Sequence, residues 1–250
     1  NDKSGNNRHA TTGQGTPGLN VTGGPGGTPI VEIRRAGGDD YLAIGGTAFF
    51  AKEHYYVFRS SDAANRFDYY GGILGHQSGR GSNYLWENNQ PHFHGNQYPE
   101  GVQQNGGAYV TTGNRAMTDV NQFMILRLVV NDGSIGPHSN YRIGKTDNNF
   151  CASVDIAEVL AFSSVSSAND RTKIEGYLAH KWGLDGHLPS AHPFKGSPPS
   201  FGLSSNQYSI TAQRGPQTYL AAGLPTGLAV NPKTGMISGS TTDVGEHNVT

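Results

Sequence analysis

Residues 155–194 read DIAEVLAFSSVSSANDRTKIEGYLAHKWGLDGHLPSAHPF, a strand, a turn, one amphipathic helix and an extended return. Val154, Ile156, Leu160 and Phe162 share parity, so a regular strand would place them on one apolar face. Glu158 falls on that same face, where a buried carboxylate needs a partner, and a bond to backbone or to a basic side chain near the helix is the expectation. Ser167 is placed as an N-cap, with Asp170 three residues on, the spacing of a capping box in its Asp form. Ile174, Tyr177, Leu178, Lys181 and Trp182 then follow at helical spacing and make one apolar stripe over 168–182 with a lysine stem at its edge. Gly183 stands where a left-handed residue ends a helix, and Leu184 is the apolar residue that accompanies it. A single helix in a chain that otherwise reads as strand and loop must cover the end or flank of a sheet, with Trp182 as its anchor.

Composition narrows the rest. Glycine supplies 36 of 250 residues while charged residues reach only 15%, against a usual quarter. Aromatics at 10% and recurring apolar runs exclude a disordered chain and favour a loop-rich β protein. A net charge of −1 gives no footprint for nucleic acid or for anionic membranes. There is no apolar run long enough to span a bilayer. Cys151 is the only cysteine, which excludes an intrachain disulfide and fits a small buried hydrophobe. The abrupt start at Asn1 and the stop at Thr250 read as a piece of a longer chain, so missing targeting signals carry little weight.

Along the chain, 1–29 reads as an irregular Gly- and Thr-rich surface segment with Pro17, Pro25 and Pro29. Short strands are expected at 30–34 and 41–44 around the turn at Gly37-Gly38-Asp39-Asp40. The runs YYVFR (55–59) and MILRLVV (124–130) suit central strands buried on both sides. Short strands and long loops fill 60–122, and 141–145 and 151–162 complete the set, which favours a sandwich or jelly roll. A Lys-Gly-Ser-Pro-Pro-Ser linker at 195–200 precedes strands at 208–212, 229–230 and 236–238, separated by Gly-Leu-Pro, Asn-Pro and Thr-Gly turns.

The motifs Asp2-Lys3-Ser4-Gly5-Asn6 with His9-Ala10, Gly38-Asp39-Asp40-Tyr41-Leu42, Asp155-Ile156-Ala157-Glu158-Val159, Ile174 to Leu184 (IEGYLAHKWGL) and Leu188 to Phe194 (LPSAHPF) recur in order. Together they resemble the bacterial concanavalin A-like lectin/glucanase (laminin-G-like) domain of very large surface and secreted proteins, over 1–196, with the family's first strand missing. Residues 201–250, after a linker at 197–200, resemble the bacterial Ig-like (cadherin-like) repeat through Gly223-Leu224-Pro225-Thr226-Gly227-Leu228 and Thr234-Gly235-Met236-Ile237-Ser238-Gly239. The last strand of that repeat is expected to be cut off. The resemblance implies an all-β chain: a jelly-roll sandwich with one C-terminal helix, then a small Ig-like spacer, in an extracellular or cell-surface protein. Fold alone names no ligand.

Some jelly rolls of this superfamily are retaining glycosidases, whose two carboxylates stand on one strand about 5–5.5 Å apart. The matching positions here are Ser153, Asp155 and Glu158, so the nucleophile position holds serine and no enzyme is expected. For glycan binding, the run 83–98 offers Tyr84, Trp86, Glu87, Asn88, Asn89, His92, Phe93, His94 and Tyr98 as an aromatic platform beside amides; ordinary packing beneath a long loop is the competing account. His92 and His94 would supply two of a zinc site's ligands, with no third evident. Asp39, Asp40 and Asp147 could ligate Ca²⁺, though such residues more often only shape turns. The expectation is a non-enzymatic adhesion module that binds glycan or matrix polymer. The alternative is a structural subunit that self-associates through β-module or strand-exchange contacts, and a glycoside hydrolase stands third.

Overall fold

The structure, a computed structural model, describes residues 2, 4, 6–35, 40–45, 51–67, 72–76, 84–85, 89–93, 99–113, 115–130, 141–145, 151–202, 208–209, 218–241, 243 and 247–250. Two antiparallel sheets share one core. The smaller runs β1 (Ala10–Gln14), β4 (Tyr41–Ile44), β11 (Tyr141–Ile143), β6 (Gly72–His76) and β7 (Tyr84–Leu85); the larger runs β2 (Gly18–Asn20), β3 (Ile30–Ile33), β12 (Val154–Phe162), β5 (Glu53–Ser60), β10 (Met124–Val129), β8 (Gly101–Gln104) and β9 (Tyr109–Val110). Tyr56, Phe58, Leu126, Leu128 and Val154 of the larger sheet meet Ile73, Tyr141 and Ile143 of the smaller one in a single buried cluster. The runs 55–59 and 124–130 supply β5 and β10 at the centre of the larger sheet, buried on both faces.

Three expectations change. The segment 1–29 is not irregular throughout, because β1 and β2 lie within it and edge one sheet each. The strands at 30–33 and 41–44 do not form a hairpin; they belong to different sheets. Asp40 holds the chain where it crosses between them. It is buried, and its carboxylate accepts from the backbone N–H of Thr16 at 2.7 Å and of Arg34 at 3.3 Å, the turn-shaping task weighed for it beside Ca²⁺.

The third correction concerns β12. Its register against β5 shifts between Ile156 and Glu158, leaving Ala157 as the extra residue of a β-bulge. One extra residue reverses the parity of everything after it. Val154 and Ile156 therefore face the core between the sheets, whereas Ala157, Leu160 and Phe162 face outward. The single apolar face expected for 154–162 is split into two, and Glu158 falls beside the outward set.

Helix α1 (Ala168–Lys181) lies on that outer face. Ser167 caps it, accepting from Asp170 N at 3.1 Å and donating to Asp170 Oδ2 at 2.7 Å. At the other end Gly183 adopts φ 65°, Gly183 N–H donates to His180 O and Leu184 N–H to Ala179 O, the paired bonds of a Schellman ending. Leu178, Ala179 and Trp182 pack on Tyr55, Val57 and Ile125 of the sheet. Trp182 Nε1 donates to Glu158 Oε2 at 2.6 Å, and Lys181 Nζ to Oε1 at 2.9 Å. The return segment folds back over α1, because a Cβ at Gly176 would lie 2.6 Å from that of Phe194, and His180 Nε2 bonds Phe194 O at 2.8 Å.

Beyond residue 200, β13 (Phe201–Gly202), β14 (Tyr208–Ser209) and β15 (Leu228–Val230) all pair with β16 (Met236–Thr241). Asn231 builds the β15–β16 turn by accepting from Lys233 N and Thr234 N. Gly235 in that turn and Gly239 within β16 hold φ of 70° and 129°, values that side-chain-bearing residues rarely adopt. Among the described residues, no helix is long and apolar enough to cross a membrane.

Trp182→Ala removes both the indole packing and the partner of Glu158 Oε2, and should cost roughly 3–5 kcal/mol in chemical denaturation. An unchanged midpoint would show that α1 is peripheral.

His54, stacked on Tyr56 inside the core and opposite Leu128 in register, is depressed by burial to about 3. The unfolded chain takes up this proton near 6.5 and the native state refuses it, so stability is full above that pH and falls as pH drops towards 3. The loss should approach about 4 kcal/mol at pH 3, and the stability–pH curve of His54→Leu should be correspondingly flatter in that window.

Candidate functional site

The turn from β8 to β9 is built on Asn105 and Gly106, with φ of 51° and 67°. Asn105 extends the ladder beyond Gln104: its N–H donates to Ile125 O and its Oδ1 accepts from Ile125 N, both at 2.8 Å. The Gln104 side chain grips the next loop from both sides, donating to Thr118 O at 2.6 Å and accepting from Thr118 N at 2.9 Å. That grip places Asp119, φ 49°, and Gln122 across from the turn. The third wall comes from the segment after α1, where a 3₁₀ turn (Asp185–His187) is followed by Pro189. Together with Phe123 and Met124 these walls enclose a cleft of about 410 Å³ at one end of the outer face. Gln104 is committed to Thr118, but the exposed side chains of Asp119, Gln122 and His187 hold no hydrogen-bond partner among the described residues.

The cleft rests on a buried ionisable pair. A Cβ on Gly106 would stand 3.1 Å from the His192 ring and 3.3 Å from Glu175 Oε2 and from Leu188, so the turn sits directly on these groups. His192 Nδ1 accepts from Phe194 N–H at 3.2 Å, which puts the ring proton on Nε2, 3.1 Å from Glu175 Oε2. Burial pushes the Glu175 carboxyl up, against the pull of the His192 bond. Arg171 Nε lies 3.9 Å from its other oxygen. A second buried group of charges lies further along the outer face. Glu53 accepts from Arg127 Nε on one oxygen and from Ser166 N and Oγ on the other, and the Arg127 guanidinium lies 4.9 Å from the Tyr109 ring centre. Burial and the neighbouring Glu53 charge raise the Tyr55 hydroxyl in the same group.

Among the described residues, none that lines the cleft comes from 83–98. Of that expected platform, Tyr84 lies on β7 at the edge of the smaller sheet, Asn89 is exposed with φ 57°, and His92 is half-buried with Nδ1 3.0 Å from Phe93 O. Phe93 is a core residue, fully buried among both sheets, and so is no ligand platform. Trp86, Glu87, Asn88, His94 and Tyr98, with the Ca²⁺ candidates Asp39 and Asp147, lie outside the described residues. No three His, Cys, Asp or Glu gather as a metal cluster among the described residues. On β12, Asp155 is held by Arg34 Nη2 at 2.7 Å and Arg59 Nε at 2.8 Å, while Glu158 is held by α1. Ser153 Oγ accepts from Arg35 N.

Sequence reasoning missed the cleft, although Asn105-Gly106 is a hairpin-turn dipeptide visible in the sequence. It also missed Glu175 as a buried residue. Its partner His192 is 17 residues away, and no local pattern joins them.

Compared with known proteins, residues 189–250 match the family described as Putative Ig domain. The match covers β13 to β16 and begins within the return segment that packs on α1. The C-terminal part of the chain therefore carries an Ig-like repeat. No curated protein and no solved structure matches the chain.

Gly106→Ala must hold a β-carbon at φ 67° against His192 and Glu175, and left-handed backbone costs about 1–2 kcal/mol for such a residue. Its melting temperature should fall, and amide resonances of 104–107 and 175 should shift together. Movement confined to 106 would separate the cleft from the pair beneath it.

Proposed function

We propose that the chain is a non-enzymatic extracellular binding module, a concanavalin A-like jelly roll followed by an Ig-like spacer, that takes a carbohydrate in the cleft between the β8–β9 turn, the 118–123 loop and the segment after α1. The observation that carries this reading is the set of unpartnered hydrogen-bonding side chains, Asp119, Gln122 and His187, facing one concavity whose loops are pinned by Gln104 and Asn105. A carboxylate and a planar amide fixed on short loops suit the paired hydroxyls of a sugar, and a cleft of this volume falls in the range of small-ligand sites. Asn105 and Asp119 both occupy left-handed backbone, which is more common where geometry serves a site. Against hydrolysis, Asp155 is paired with two guanidinium groups and Glu158 is held by Trp182 and Lys181, and serine stands where a nucleophile would be. Glycan or matrix polymer is thus the favoured partner, at the cell surface or outside the cell, with no bound Ca²⁺ required by this site.

A second reading, a self-associating structural subunit, is favoured by one feature. The edge strand β2 is followed directly by Val21, and Leu19 and Val21 stand 71% and 62% exposed. Unprotected edges of this kind invite another strand.

Glycan-array binding of the whole chain, with and without Ca²⁺, tests the first reading. Asp119→Ala and Gln122→Ala should each weaken binding roughly tenfold, the size of a lost hydrogen bond to a charged or fixed group, without moving the melting temperature. A chain that binds no glycan yet scatters light as a polymer, dispersed by Leu19→Lys, would transfer the function to the edge.

A further inference from the structure

Arg59, near the end of β5, packs on a wall of the cleft without being one of its lining residues. Its guanidinium carbon lies 4.6 Å from the centre of the Phe123 ring, and Phe123 lines the cleft. Nε is engaged by Asp155 Oδ2 at 2.8 Å. The two terminal nitrogens bond no protein group among the described residues, and the side chain is 37% exposed. A guanidinium pinned through Nε and laid on a ring loses most of its rotational freedom. It then presents its terminal N–H groups as a fixed fork, the geometry that meets a carboxylate with two parallel hydrogen bonds.

Arg34 Nη2 lies 2.7 Å from the other oxygen of Asp155 and also pairs with Glu32, so two carboxylates balance two guanidinium groups and what Arg59 offers is its free terminal donors. On the third wall a further cation is fixed in place: Lys195 Nζ donates to the carbonyls of Gly186 and Leu188, which flank the cleft residue His187. Among the described residues that line the cleft, Asp119 is the one carboxylate.

We infer that the saccharide taken by this cleft is acidic, a hexuronate chain whose carboxylate is held by the terminal nitrogens of Arg59, leaving Asp119 and Gln122 for hydroxyls. This rests on the carbohydrate reading above and adds the class of sugar. Phe123 then serves as the platform that orients the fork, and Asp155 as the residue that positions it.

The test is calorimetric titration of the whole chain with hexagalacturonate and hexamannuronate, each beside its carboxyl-reduced neutral counterpart of the same backbone. The acid form of one of them should bind at least tenfold more tightly than its reduced form, and the preference should shrink as salt rises from about 50 to about 500 mM, where screening shortens to a few ångström. Arg59→Gln should abolish the preference, and Arg59→Lys should keep part of it, since a single ammonium preserves charge without the fork. The comparison of acid with reduced sugar on the unmodified chain needs no variant, so a fold weakened by loss of the Asp155 partner does not obscure it. Equal binding of acid and reduced forms would overturn the role of Arg59 and leave the carbohydrate reading standing. Binding of neutral glycans with no uronate bound would do the same. Failure of the folded chain to bind any saccharide, neutral or acidic, would overturn both.

Discussion

The carboxylate of Glu158 is the constraint on which the outer half of this molecule depends. A β-bulge turns it from the core to the outer face of the larger sheet, where Trp182 Nε1 and Lys181 Nζ meet it. Partly screened from water, such a charge is tolerable only when both oxygens are engaged. The bulge and the last turn of α1 are therefore specified together: without the extra residue, Glu158 would point between the sheets with no donor to receive it. The apolar contacts of Leu178, Ala179 and Trp182 supply most of the attraction, and the ion pair fixes where along the sheet the helix sits.

Once α1 is fixed, it carries polar groups as well as apolar ones onto the sheet. Glu175 is buried on its inner side and needs His192, which the return segment brings back across the helix. Gly176 leaves the room that Phe194 fills. The sequence motifs at 174–184 and 188–194 are thus two halves of one packing unit, joined by a histidine–carboxylate bond, a glycine–phenylalanine contact and the His180–Phe194 bond. The β8–β9 turn rests on this unit, so the cleft is a consequence of how the helix is docked. The floor is built from this packing unit, and among the described residues the polar groups free to bind stand on the rim.

Much of the fold was legible because it follows from local rules. The N-cap at Ser167, the left-handed Gly183 and the strands at 55–59 and 124–130 each depend on residues close together in sequence, whose spacing states the answer. The split of β12 was not legible, since nothing within 154–162 marks Ala157 as the extra residue; the bulge exists because Phe58 and Val57 on the neighbouring strand are met by Ile156 and Glu158. Strands β1 and β2 were hidden for a related reason. Exposed edge strands carry little apolar patterning, and their ladders are set by the strands they join. Within the expected platform, Phe93 looks like a surface aromatic in sequence and is a core residue in space.

By itself, then, the sequence determined an all-β chain with a single capped helix, a composition without a nucleic-acid or membrane signature, and an Ig-like repeat at its C-terminal end. These are properties of periodicity, turn chemistry and charge, which act over a few residues. Only the tertiary structure decided which face each half of β12 presents, that Asp40 ties together a crossing between sheets, that Asp119, Gln122 and His187 come to line one cleft, and that Arg59 lies against its Phe123. Those residues are separated by as much as 128 positions, from Arg59 to His187. What brings them together is burial of apolar surface between sheets and beneath a helix, an attraction without direction or sequence range, so no local pattern could have announced the site.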